Sequence, residues 1–352
     1  MNDVASGFKI AAHAERLRAY LRGEAVFPVS LELDLTSRCS RTCADCPSMR
    51  AAVHWELDRS FVERLFDALA GQATGLLLTG GEPTLSSLLP GTLAAARTSG
   101  FRDIAVVTNG GRLDDPTVTS ALLEHASTIR LSLYDWDDAA GDGPGEIMER
   151  IARLRRLIDK AQSPLQIGVS LLTSSERLGL LRPQVGRLAG AGAHWVYFHP
   201  LCKNWNKGRP SPEPQDGVIA EVENLQREFG RKMAIFVSRA RYDHKDLSFS
   251  GYHAAHFLLV VGADRKNYLG AEVKYQPDFA IADLGNGWRP DFLRDPNRLE
   301  RIRAVTDGNY PALASRHRGV LYNDFVERLK RCEDRAWEIL NASPQFRFPH
   351  IL

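Results

Sequence analysis

The chain has 352 residues, 44% of them apolar and 25% charged, with a formal net charge of +2. That is the composition of an ordinary globular protein, and it argues against nucleic acid or a membrane surface as a partner held by bulk charge. No apolar run reaches the ~18 residues of a membrane-spanning helix, and the opening MNDVASGFK has no signal-peptide core, so a cytoplasmic protein is expected.

Residues 8–22 carry Ile10, Ala14, Leu17 and Leu21 at helical spacing, and residues 1–28 form an N-terminal helical segment. From Val29 to Leu35 apolar and polar residues alternate, which predicts a strand. Strands and helices then take turns. Helices are predicted at 58–70, 88–98, 116–126, 146–161 and 181–190. Strands are predicted at 75–79, 103–108, 128–134, 165–172 and 194–200. Six βα-type units over residues 29–202 imply a parallel sheet with helices on its outer face. Six fall short of the eight that close a full barrel, so the expected class is α/β, an open partial (β/α)6 barrel. The stretch 203–217, KNWNKGRPSPEPQDG, reads as a linker. Residues 218–352 read as a smaller α+β appendage: a helix at 217–229, a strand at 233–238, a hairpin across 256–270, a strand within 279–287, and helices near 296–305 and 321–340.

There are five cysteines: Cys39, Cys43, Cys46, Cys202 and Cys332. The first three, spaced C-x3-C-x2-C, follow the first strand directly. In a reducing compartment such clustering favours metal binding over disulfides. A structural zinc site needs four closed ligands, and a second C-x2-C or His pair is missing. Three thiolates on one loop suit three corners of a 4Fe–4S cube, with the fourth iron open.

With Thr79-Gly80-Gly81-Glu82-Pro83 at the end of the second strand, this loop resembles the radical S-adenosylmethionine enzymes over roughly residues 29–202. The resemblance implies one [4Fe–4S] cluster on Cys39, Cys43 and Cys46, and S-adenosyl-L-methionine chelating the open iron. Gly80 and Gly81 would let backbone approach that ligand, and Glu82 would accept hydrogen bonds from its amine. Asn109 and Ser132, ending the third and fourth strands, would contact its carboxylate or ribose, and the backbone at Phe198 and His199 would lie near the adenine. Asp135 is a further candidate. Asp45 stands where the family usually has an aromatic residue. An electron donor such as flavodoxin or ferredoxin would be a partner.

Each of these residues also has a plain reading. The cysteines would be a structural metal knuckle, the GGEP run a strand-ending turn, and Asn109 a left-handed turn residue. Cys202, just past the sixth strand, is either a small buried hydrophobe or a thiol that returns a hydrogen atom to a substrate radical. Cys332 reads as structural on a charged helix. Tyr252, His253 and Trp288 either line a pocket or pack as core aromatics. No further cysteine set for auxiliary clusters is present, so a single cluster is expected. The resulting expectation is a radical enzyme acting on a small-molecule substrate, a carbohydrate, aminosugar or nucleoside-type intermediate, by epimerisation or by elimination and rearrangement. The alternatives are modification of a ribosomally made peptide, which needs a long groove or strand edge, and an inactive metal-binding scaffold.

Overall fold

In the computed structural model, residues 7–43, 46–134, 144–204, 211–243, 247–285 and 287–352 are described. Asp45 and Asp135 lie outside them. A short 3-10 turn leads into α1 (Ala14–Leu21), and then β1 (Ser30–Thr36), α2 (Arg59–Leu69), β2 (Gly75–Gly80), α3 (Leu89–Thr98), β3 (Asp103–Thr108), α4 (Pro116–His125) and β4 (Thr128–Ser132) follow. They continue with α5 (Pro144–Ala161), β5 (Gln166–Thr173), α6 (Leu178–Ala191) and β6 (Trp195–Pro200). Helix starts match the sequence chemistry: the carboxylates of Asp58 and Asp115 accept the free amide N–H groups opening α2 and α4.

The two-residue strands β7 (Cys202–Lys203) and β8 (Ser211–Pro212) pair with each other. Beyond them come α7 (Val218–Phe229), β9 (Ala234–Val237), β10 (Leu258–Val261), β11 (Lys266–Tyr268), β12 (Ala280–Asp283), α8 (Pro296–Ala304), α9 (Arg318–Lys330) and α10 (Asp334–Asn341). The main sheet runs β12-β11-β10-β1-β2-β3-β4-β5-β6-β9. From β10 to β9 every neighbour is parallel, whereas β11 and β12 are antiparallel.

The α/β partial barrel is therefore present, but it is wider than the six strands expected. Both added parallel strands, β9 and β10, come from the segment read as an appendage. Their apolar runs are too short to signal which sheet they join. The supposed linker also departs from expectation. Its described residues fold back over the sheet: Glu213 donates its N–H to the Leu201 carbonyl (2.9 Å), and the Gln215 side chain bonds the Thr173 hydroxyl (2.9 Å) and carbonyl (2.8 Å).

The core has two parts. Leu31, Leu33 and Leu35 of β1, with the matching faces of β2–β6, pack under α2–α7. The N-terminal turn and α1 pack with the loops around Phe249–Phe257 and with α9 and α10. The expected helix 321–340 is broken. Cys332 sits exposed in the gap between α9 and α10 with φ 59°, so it is not a residue on a continuous helix. Among the described residues no helix is long and apolar enough to cross a membrane.

Candidate functional site

A parallel sheet brings the carboxyl ends of all its strands to one rim. The cysteine loop leaves the rim end of β1, and Gly80-Gly81-Glu82 leaves the rim end of β2. The two are fastened together. Gly81 N–H donates to the Thr36 carbonyl (2.9 Å) and Glu82 N–H to the Arg38 carbonyl (2.7 Å), while Ser48, just after Cys46, donates its hydroxyl to the Gly80 carbonyl (2.7 Å). Gly80 has φ +121°, and a Cβ there would lie 2.4 Å from the Thr36 oxygen; one at Gly81 would lie 2.1 Å from the Arg38 oxygen. The close approach that glycine permits is thus made by the root of the cysteine loop itself. The expected ligand contact is not what demands these glycines.

Glu82 is likewise committed to the protein. It is only 2% exposed. Its Oε1 accepts the hydroxyls of Thr84 (2.6 Å) and Thr108 (2.7 Å) and the Thr84 N–H (3.1 Å), and its Oε2 accepts the Asn109 N–H (2.7 Å). This carboxylate is a brace tying the end of β3 to the end of β2. The role expected from sequence, accepting bonds from a ligand amine, is left with little free lone-pair capacity.

Asn109 relays the brace to the loop. Its Nδ2 donates to Ser40 Oγ (3.1 Å) and approaches Cys39 Sγ (3.9 Å), and its Oδ1 accepts the Gly111 N–H (2.8 Å). The Arg41 N–H also points at Cys39 Sγ (3.4 Å). Burial pushes the Cys39 thiol up, and the Glu82 and Cys46 charges add to this, while the Arg41 and Asn109 donors oppose it.

All three loop cysteines are half-buried and free of disulfides, and Cys46 N–H donates to the Cys43 carbonyl (3.2 Å). Among the described residues no three His, Cys, Asp or Glu side chains meet as they would around a single ion. A cube that takes one cysteine per iron does not ask for that, and donors aimed at a sulfur stabilise a ligating thiolate. The donor set therefore fits an iron–sulfur cluster better than a closed single-metal site.

The remaining sequence candidates lie elsewhere on the rim. Ser132 ends β4 in register with Ser170 of β5, and among the described residues its side chain makes no hydrogen bond to the cysteine loop. His199, near the end of β6, is buried against Tyr197 and 3.4 Å from the Ser170 hydroxyl. Burial, reinforced by the Arg241, Arg316 and Arg130 charges, holds its imidazole neutral, well below the ordinary value. Cys202 is buried on β7, within electrostatic reach of the Arg316 side chain. Tyr252 and His253 are core residues: the Tyr252 hydroxyl bonds Glu272 (2.8 Å), and His253 bonds Glu327 (2.8 Å). Trp288 instead lines a surface groove between β12 and α8.

The sequence reading missed the supporting residues Thr84, Thr108 and Ser40, which carry no motif of their own. It also missed Lys274, whose Nζ lies 2.9 Å from Glu32 and 2.6 Å from Asp34 inside the barrel. Two acidic residues alternating along β1 were the available signal, since both faces of a barrel strand are buried.

No protein-family model matches the chain. It is 30% identical over 226 residues to a PqqA peptide cyclase of Xanthomonas axonopodis pv. citri (strain 306), an alignment covering 59% of this chain and 58% of that protein. It is 29% identical over 248 residues to a PqqA peptide cyclase of Xanthomonas campestris pv. campestris (strain B100), covering 66% and 64%. The chain thus spans less than two thirds of the curated relatives it matches. In fold it is similar to Streptococcus suis SuiB bound to its precursor peptide SuiA, with a TM-score of 0.63 at 12% identity, over 83% of this chain and 71% of that one. The two motifs stand at the ends of adjacent parallel strands, and with these sequence relatives they make the chain similar to the radical S-adenosylmethionine enzymes.

Proposed function

We propose that this protein is a radical enzyme that abstracts a hydrogen atom from a ribosomally made peptide. The small polar metabolite expected from sequence finds no support among the relatives, whereas both sets of comparisons point to peptide substrates. The observation that carries the catalytic part is the fastening of the Cys39–Cys46 loop to Gly80–Glu82, which holds three thiols at the rim of a parallel barrel.

Cys39, Cys43 and Cys46 would hold a [4Fe–4S] cluster, which would supply the electron for cleaving S-adenosylmethionine to methionine and the 5′-deoxyadenosyl radical. Every other part of this reading concerns the chain's own residues. Glu82 holds Asn109 in place, and Asn109 directs its amide at the Cys39 sulfur and so stabilises the thiolate charge. Gly80 and Gly81 set the loop's height above the sheet. Ser132 and the backbone at Phe198 and His199 supply polar groups on the opposite part of the rim, where the methionyl, ribose and adenine moieties would find partners. The substrate enters between them, in the barrel mouth bordered by Cys202 and the C-terminal segment. In this place Cys202 is a positioned thiol beside Arg316.

The test is anaerobic turnover of the reconstituted, reduced protein with candidate precursor peptides encoded beside its gene, each deuterated on carbon. Deuterium from a peptide appearing in 5′-deoxyadenosine is the expected result. Transfer from sugars or nucleosides but from none of the peptides would overturn the substrate reading.

A further inference from the structure

The face of the sheet turned away from the helices carries charge that the cysteine site does not use. On one wall it is balanced: Glu32 and Asp34 of β1 are paired with Lys274, and Glu32 also with Arg318. The opposite wall carries three arginines, of which Arg130 also feels the Glu32 charge. Arg130 projects from β4 on the same side as Ser132, in register with Gly168 of β5, whose face is covered by the Trp195 ring. Arg241 and Arg316 arrive from the C-terminal segment, 7% and 5% exposed. Arg241 Nη1 donates to the Arg316 carbonyl (2.8 Å), lies 3.2 Å from His199 Nδ1, and its guanidinium sits 5.6 Å from the centre of the Tyr197 ring. His199 feels the charge of all three arginines.

Among the described residues no carboxylate pairs with Arg130 or Arg241, and the buried Nε of each has no hydrogen-bond partner. Burying a guanidinium beside other guanidiniums is strongly unfavourable unless an anion answers it. Packing alone does not call for arginine at such positions, because an apolar or amide side chain would fill the same space without the repulsion. The planar fork of arginine suits a carboxylate in particular, which it grips by two parallel bonds. The parallel sheet puts this wall at the same rim as the cysteine loop.

We propose that Arg130, Arg241 and Arg316 form a binding site for a carboxylate of the substrate. This rests on the reading of the protein as a peptide-modifying enzyme, and it narrows the substrate to a peptide that presents an acidic side chain or its C-terminal carboxylate at the reacting segment. The arginines anchor that group inside the barrel and fix which neighbouring carbon faces the rim.

The proposal is tested on the full chain by thermal unfolding, which needs no cluster and no turnover. Three probes distinguish the sources: N-acetylglutamate α-methylamide for an acidic side chain, N-acetylalanine for a chain terminus, and N-acetylglutamine α-methylamide as the neutral control. One of the two carboxylates is expected to raise the melting temperature, the neutral control is not, and Arg130→Gln is expected to lose the shift. The ligand-free Arg130→Gln protein is expected to melt at or above the native temperature, since relieving unanswered charge stabilises an empty site. A merely structural arginine would lower it. No protection by either carboxylate, or protection that survives in Arg130→Gln, overturns the proposal. Loss of protection by S-adenosylmethionine in Arg130→Gln would assign the arginines to the cofactor's own carboxylate and overturn it equally. Failure here with peptide deuterium still reaching 5′-deoxyadenosine would leave the proposed function standing and remove only this site.

Discussion

Replacing Glu82 by Gln separates a brace from a ligand contact. The carboxylate receives four hydrogen bonds, two from threonine hydroxyls and two from backbone N–H groups, at a position 2% exposed. A glutamine can keep its oxygen toward Thr84 and Thr108, but its NH2 then faces the Asn109 N–H, donor against donor. Leaving that buried N–H unanswered costs about 1–3 kcal/mol, and the hydroxyl bonds weaken as they lose charge assistance. The sum is roughly 2–4 kcal/mol, and at about 2 °C per kcal/mol for a chain of this size it corresponds to a fall in melting temperature of roughly 4–8 °C. The assay is thermal unfolding of cluster-free protein, compared with retention of iron after reconstitution. Glu82→Gln is expected to be both less stable and poorer in iron. If it unfolds like the native protein and loses only affinity for S-adenosylmethionine, the brace is wrong and the residue is a direct ligand.

Other substitutions test other joints. Gly81→Ala would drive a methyl group to 2.1 Å from the Arg38 carbonyl oxygen; the loop must then move, and iron content after reconstitution is expected to collapse while the far-ultraviolet circular dichroism is kept. Lys274→Met leaves Glu32 and Asp34 buried with one cation fewer, at a cost of about 3–5 kcal/mol, and the triple change with Glu32→Gln and Asp34→Asn is expected to recover part of the loss in denaturant unfolding. Burial, with Arg298 and His253 nearby, lowers His256 to about 3. Its folded value lies below its unfolded value of about 6.5, so it stabilises the fold above that pH, and the contribution drains away as pH falls toward 3. His256→Phe is expected to flatten the decline in stability across that window; an unchanged slope would show that His256 is not its source.

The parts of the site that chemistry alone dictates were plain in the sequence: three cysteines on one short loop, and a glycine pair ending the next strand. Their mechanical roles were not. That Gly80 and Gly81 receive the backbone of Thr36 and Arg38, and that Glu82 spends its lone pairs on Thr84, Thr108 and Asn109, follows from which strands are neighbours, and one sequence does not state that. The helices and strands of the βα region are legible because each carries one strong apolar period. The C-terminal segment is harder. β9 and β10 are four residues each and join the two sides of the parallel sheet only through long-range pairing with β6 and β1. The alternation along β1 misleads in the same way, since Glu32 and Asp34 face the inside of a barrel and find their partners in Lys274 and Arg318, more than two hundred residues away.

The account turns on an iron–sulfur cluster that Cys39, Cys43 and Cys46 would hold at three corners, with one iron left for S-adenosylmethionine. The most direct measurement is formation of 5′-deoxyadenosine by the anaerobically reconstituted and reduced chain. Native protein is expected to form it and Cys46→Ala is not. A native sample with its full complement of iron and sulfide that leaves S-adenosylmethionine intact would contradict the account.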